Sequence, residues 1–311
     1  MKLNKNAALF KDYVALISQE ENIDEAIVVK DYFVVLALKK LYDHDSNLVF
    51  IGGTSLSKCF GIIERFSEDI DLASTLETRK GKQKQTFEAI QQVKNSWDGL
   101  VEADNKKFSD FKEMYLHYPT SKESDLDQRV KIELITFMEP FPIVKSQIYA
   151  MIYRYLDESE IKEFDMHPIV VNTQKPYRTM MEKILLEKEL YKGYLNQVQL
   201  DESQEKRARD FYDIHKIWQY YDKKLPFDYE ELQHMIQSRI SNRRGRTTIQ
   251  AKELNHYLLV EMFVNREIAK QLNEIDKRKL SIRDLDTEAI KISLFEIDIA
   301  LKQLMEKKVK S

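Results

Sequence analysis

Leu48-Val49-Phe50-Ile51-Gly52-Gly53-Thr54-Ser55-Leu56-Ser57-Lys58 passes from an apolar run of strand formers into a glycine pair and then into hydroxyl side chains. Glycine ends such a strand where bulkier residues obstruct a tight turn. Three of the seven glycines in the chain fall between Gly52 and Gly61, so the loop stands out from a glycine-poor background. Thr54 or Ser55 is placed to cap a helix running through Leu56, Phe60, Ile63 and Phe66. The start of that helix combines backbone N–H groups with the positive end of the helix dipole, which makes an anion site. Ser55 adds a hydroxyl and Lys58, one turn in, a positive charge. Taken alone, the segment reads as an ordinary strand–turn–helix connection with a serine cap.

The next segment changes that reading. In Arg65-Phe66-Ser67-Glu68-Asp69-Ile70-Asp71-Leu72, strand alternation puts Asp69 and Asp71 on one face and Ile70 and Leu72 on the other, towards a core. Two neighbouring carboxylates repel each other unless a cation lies between them, and hard oxygen ligands suit Mg²⁺ or Mn²⁺ rather than zinc. Asp-x-Asp also occurs on acidic surface strands, so the pair gains meaning only beside the loop. No Gly-x-Gly-x-x-Gly follows a candidate strand and no Gly-Lys-Ser/Thr ends the loop, so neither a dinucleotide fold nor a Walker-type ATPase is supported.

Two further segments carry chemistry. Val130-Lys131-Ile132-Glu133-Leu134-Ile135 alternates as a strand with one packed face, leaving Lys131 and Glu133 on the other. On the residues alone, Glu133 is a ligand or simply part of a solvated face. Thr179–Leu186 has helical composition and contains Lys183, and Lys206-Arg207-Ala208-Arg209-Asp210-Phe211-Tyr212-Asp213-Ile214 continues to Trp218 with Phe211, Ile214 and Trp218 at helical spacing. Asp210 and Asp213 are surface neighbours on that helix, and Arg209 reaches Asp213, as in any ion-paired helix face.

In this order, the Gly-Gly-Thr-Ser-Leu loop, the Arg-x-Ser-x-Asp-x-Asp strand, the Lys-x-Glu strand and the Arg-Asp-x-x-Asp helix resemble the AbiEii/AbiGii-type nucleotidyltransferase toxins of the polymerase-β-like superfamily. The motifs span Gly52 to Asp213. The resemblance implies a metal-dependent transfer of a nucleotide from a nucleoside triphosphate to an acceptor, with the tRNA 3′ end as one acceptor and pyrophosphate as product. It implies Asp69, Asp71, Lys183 and Asp210 as catalytic residues, with Mg²⁺ or Mn²⁺ held by Asp69, Asp71 and Glu133. Gly52, Gly53, Thr54, Ser55, Lys58, Arg65, Ser67 and Lys183 become nucleotide contacts, and a cognate antitoxin becomes a partner. The setting would be a toxin–antitoxin or phage-defence system. Two other functions stay open: the same fold modifying a protein hydroxyl with a nucleotide or phosphoryl group, and a non-catalytic module that senses nucleotides.

The rest of the chain bounds these expectations. With 311 residues and 43% hydrophobic content it can bury a sizeable core, divided between two subdomains. The single Cys59 excludes an internal disulfide framework, and no apolar run reaches membrane-spanning length, so a soluble cytoplasmic protein is expected. A net charge of −3 confines any RNA contact to a local patch, for which Arg239, Arg243, Arg244 and Arg246 are the candidates; the lysine-rich end at Lys307, Lys308 and Lys310 is a weaker one. Helices are expected over Ala8–Gln19, Ile27–Tyr42, Lys82–Trp97, Leu254–Leu272 and Asp284–Met305. Strands are expected near Glu113–His117, Arg129–Phe137 and Pro168–Val171, with a break at Pro140-Phe141-Pro142. The fold class is α+β: a small mixed β-sheet nucleotidyltransferase core flanked by helices over 1–175, and a mainly helical C-terminal half over 176–311 that completes the cleft.

Overall fold

The computed structural model describes residues 1–104, 111–119, 128–135, 138–196, 208–242, 248–274 and 285–307. Their backbone divides into two compact units, one holding Met1–Gly61 and Arg65–Gln174, the other Ile62–Glu64 and the described helical residues from Lys175 onward.

The first unit is a seven-stranded mixed sheet with helices. Its strands are β1 (Leu48–Ile51), β2 (Ile70–Ser74), β3 (Val101–Asp104), β4 (Phe111–His117), β5 (Arg129–Ile135), β6 (Ile143–Ile148) and β7 (Ile169–Gln174), in the spatial order β3-β4-β5-β2-β1-β7-β6. β1 runs antiparallel to β2 and parallel to β7, while β2 runs parallel to β5. Helix α1 (Ala7–Glu21) is capped by Asn6. Helix α2 (Glu25–His44) is capped by Asp24, whose carboxylate accepts the Ala26 N–H at 2.8 Å.

Most of α2 is buried, because its apolar residues circle the helix rather than marking one stripe. Val28, Tyr32, Phe33, Leu38 and Leu41 pack in one core with Leu48 and Phe50 of β1, Ile70 and Leu72 of β2, and Val130, Ile132 and Leu134 of β5. The opposite sheet face carries a smaller cluster of Val49, Ile51, Ala73 and Met138. Beside it lies the polar row that the strand alternation creates.

Helix α3 (Gly52–Phe60) follows β1 with no intervening residue, and α4 (Arg79–Ser96) follows β2. α3 is shorter than expected. Gly61 adopts a left-handed φ of +63° and its N–H returns to Ser57 O at 3.1 Å, which closes the helix before Ile63 and Phe66. The expected break after Pro140 also gives way at once to β6, an edge strand whose residues alternate between exposed and partly covered. A short helix α5 (Glu158–Glu163) with an Asp157–Glu160 capping box precedes β7.

The second unit is helical: α6 (Pro176–Leu195), α7 (Ala208–Tyr220), α8 (Tyr229–Asn242), α9 (Leu259–Asn265), α10 (Ile268–Glu274) and α11 (Thr287–Lys307). Pro176 opens α6 at a position where its missing N–H costs nothing. The single helix expected over Leu254–Leu272 is instead divided, by extended backbone at Leu258 and a left-handed Glu267. Phe211, Ile214 and Trp218 are buried on α7, as their spacing predicts, and Ile217 is buried with them. Among the described residues, no helix is long and apolar enough to cross a membrane.

Candidate active site

Strand register builds a line of acids across the sheet. Asp71 on β2 stands opposite Glu133 on β5, which stands opposite Glu113 on β4. Neighbouring strands are about 4.8 Å apart, so three carboxylates in a row need a counter-charge. Lys131, two residues before Glu133 and therefore on its face, supplies it: the ammonium hydrogen-bonds Glu133 and lies 3.5 Å from Glu113 Oε1. Burial disfavours the Lys131 charge, but Glu133, Asp69 and Glu113 outweigh burial and raise its pKa.

Asp71 and the loop meet directly. Gly52 has φ +77°, and a β-carbon added to it would lie 2.1 Å from Asp71 Oδ2. A β-carbon on Gly53 would lie 2.6 Å from an Arg65 guanidinium nitrogen and 2.9 Å from Ser67 Oγ. Gly52 is therefore required by its left-handed backbone and the close approach of Asp71, and Gly53 leaves the space that Arg65 and Ser67 occupy. Thr54 Oγ1 lies 2.9 Å from Ser67 Oγ and donates to the Asp69 carbonyl at 2.5 Å, fastening the loop to the segment that carries both aspartates.

Asp69 precedes β2 and is half-buried. Burial raises its pKa; the Lys131 charge opposes this, Glu68 and Glu133 add to it, and Lys30 opposes it. Asp69 thus feels the same lysine–glutamate pair that borders Asp71, and its charged form gains from a nearby cation.

Several expected residues take other places. Neither Thr54 nor Ser55 caps α3, whose N-cap is Ile51 with no side-chain bond. Both lie in its first turn, and the Ser55 hydroxyl donates to Gly52 O at 2.8 Å. Lys58 hydrogen-bonds Asp31 of α2, and its ammonium also lies 3.5 Å from the Tyr149 carbonyl. Glu133 is engaged by Lys131, and among the described residues no three acidic, histidine or cysteine side chains gather as a metal site. Asp69 and Asp71 supply hard oxygen donors, the chemistry a divalent cation such as Mg²⁺ takes, on the segment that Thr54 ties to the loop.

In the helical unit, Lys183 of α6 hydrogen-bonds Asp210 of α7 and lies 3.1 Å from Asp213 Oδ2, with the Asp213 side chain fully covered. The expected ion-paired face is therefore satisfied across helices, by a lysine rather than by Arg209. Arg239, a candidate for phosphate contact, is instead buried in α8 between Glu182 and Glu189, so its charge is already matched. Arg243, Arg244, Arg246, Lys308 and Lys310 lie outside the described residues.

Sequence reasoning passed over Lys30 and Asp31. Lys30 is 1% exposed and 2.7 Å from Glu68 Oε2, and Asp31, 2% exposed, holds Lys58. Their signal was present: two adjacent opposite charges inside Ile27–Leu38, an otherwise apolar helical stretch.

No curated protein sequence matches the chain. Among solved structures it is similar to JHP933 from Helicobacter pylori, at 16% identity and TM-score 0.44, covering 93% of this chain and 95% of the other. It is also similar to MenT4, a nucleotidyltransferase toxin from Mycobacterium tuberculosis H37Rv, at 16% identity and TM-score 0.49, covering 94% and 98% respectively. Residues 37–305 match the family described as nucleotidyl transferase AbiEii toxin, type IV toxin–antitoxin system. With that match spanning most of its length, the chain belongs to the AbiEii nucleotidyltransferase toxin family.

Proposed function

We propose that this nucleotidyltransferase moves a nucleotide from a nucleoside triphosphate to a hydroxyl of RNA, with the tRNA 3′ end as the first acceptor to test. The acceptor hydroxyl gives up its proton to water as its oxygen bonds to the α-phosphorus, the bond from that phosphorus to the bridging oxygen breaks, and pyrophosphate leaves. The observation that carries this reading is the contact of Asp71 with Gly52 at the start of α3, where Arg65 and Ser67 close over Gly53.

The backbone N–H groups of the first turn of α3 and the Arg65 guanidinium bind phosphate oxygens and spread their charge. Ser67, tied to Thr54, fixes the height of the phosphate above the turn. Asp69 and Asp71 are the residues to hold Mg²⁺, or Mn²⁺ in its place, which when bound supplies Lewis-acid polarisation of the phosphoryl oxygens. Lys131 keeps Glu133 and Glu113 from repelling the incoming triphosphate. Lys183 and Asp210 are the further catalytic residues of this reading, Lys183 also contacting the nucleotide, by resemblance to the family. A cognate antitoxin is the proposed protein partner.

The test is incubation of purified protein with total RNA, Mg²⁺ and each α-³²P nucleoside triphosphate in turn. Label should enter RNA and disappear with chelation or in the Asp69→Ala/Asp71→Ala double variant. Transfer that survives in the double variant would refute the assigned roles, and label that enters polypeptide and resists ribonuclease would redirect the acceptor to protein.

A further inference from the structure

Lys30 and Asp31 are adjacent on α2, opposite in charge, and almost wholly removed from solvent. Burying two charges inside an apolar helix is costly, and an ion pair in such a place seldom improves on hydrophobic packing. A paired charge also fixes direction, which a methyl group does not. Where these two charges lead is therefore informative.

Adjacent residues on a helix project about 100° apart, so the two side chains reach different targets. Lys30 pairs with Glu68 at 2.7 Å, one residue before Asp69 and three before Asp71. Asp31 takes Lys58 with one oxygen, on the helix that starts at Gly52, and with the other accepts the Met151 N–H at 2.7 Å. One arm of α2 thus grips the aspartate segment, and the other grips the helix behind the glycine turn. On the site side, the Thr54 hydroxyl contacts tie those parts together. On the far side, α2 joins them through Lys30 and Asp31.

We propose that Lys30 and Asp31 are positioning residues, which set the aspartate segment and the glycine turn at a fixed spacing through Glu68 and Lys58. The inference rests on the reaction proposed above for its kinetic consequence, but its structural content is independent of that reaction. Neither residue touches the substrate. Their effect is on how accurately Asp69 and Asp71 meet a triphosphate, and small displacements of such groups are costly to the rate.

The test uses the full chain and two variants. Lys30→Met/Glu68→Gln removes both members of one pair so that no lone charge stays buried, and Asp31→Asn keeps the acceptor for the Met151 N–H while removing the charge facing Lys58. In each folded variant, amide hydrogen exchange over Gly52–Thr54 and Ser67–Asp71 should quicken by about tenfold while α6 exchanges as before. The turnover number should fall by about tenfold or more, with a smaller change in KM. Exchange at those two segments matching the unaltered protein, or quickening equally throughout the sheet unit, would overturn the inference. So would full turnover in both variants. If the unaltered protein labels no acceptor, the proposed reaction fails, and the exchange pattern alone decides the positioning role.

Discussion

Asp71 leans over Gly52 so closely that the glycine has no room for a side chain: the first carbon of one would lie 2.1 Å from the carboxylate oxygen. The same residue holds φ +77°, a conformation that side-chain-bearing residues resist. Gly52→Ala therefore meets two penalties at once. It should cost about 1–3 kcal/mol of stability, seen in a urea titration, and displace Asp71 enough to remove most nucleotide transfer. An active Gly52→Ala variant of full stability would contradict the contact.

Lys183 holds two carboxylates, one of them on a fully covered side chain. Replacing it with methionine takes the lysine charge away from the covered Asp213 carboxylate and should cost about 3–5 kcal/mol. Lys183→Met/Asp213→Asn should recover part of that loss, because one buried carboxylate charge is removed with the lysine, and should still transfer no nucleotide. Strictly additive effects in the denaturant titrations would show that the two groups do not depend on each other.

His215 gives the helical unit an acid sensitivity. Burial is the main cause lowering its pKa from 6.5 to about 4; Lys216 and Lys223 push the same way, while Asp286 and Glu296 oppose them. Its Nδ1 lies 2.8 Å from Ser293 Oγ. Below 6.5 the unfolded chain takes up a proton that the folded chain refuses until about 4. This contribution to stability is therefore complete above 6.5 and is lost as pH falls through that window. His215→Gln should flatten the fall in unfolding free energy between those two pH values relative to the unaltered protein. An unchanged slope would show that His215 is not its source.

Local pattern made some of this legible. The alternation of Val130, Ile132 and Leu134 against Lys131 and Glu133 gives β5 its burial pattern, because alternation along a strand is a local property. β6 escaped notice because an edge strand buries little and its apolar Ile143 faces out. β3, four residues long, offers too few positions for a period to register.

The geometry of the candidate site was legible where residues met their neighbours in sequence or in strand register, as with the approach of Asp71 to the glycine pair. It was not legible where a charge chose a distant partner. Lys58 reaches back 27 positions to Asp31, and Arg239 reaches back 50 to Glu189. Such pairings depend on which helices pack together, and a basic residue bound for burial looks the same in sequence as one bound for solvent. Lys30 and Asp31 show the converse: charges in a stretch too apolar to face water announce burial before any partner is known.

The absence of any spacer between Ile51 and Gly52 has a bearing on how this chain can vary. One inserted amino acid at that junction would turn the helix about 100° and slide it about 1.5 Å relative to the sheet, carrying Thr54 off Ser67 and Lys58 off Asp31 together. This joint therefore tolerates neither gain nor loss of a residue.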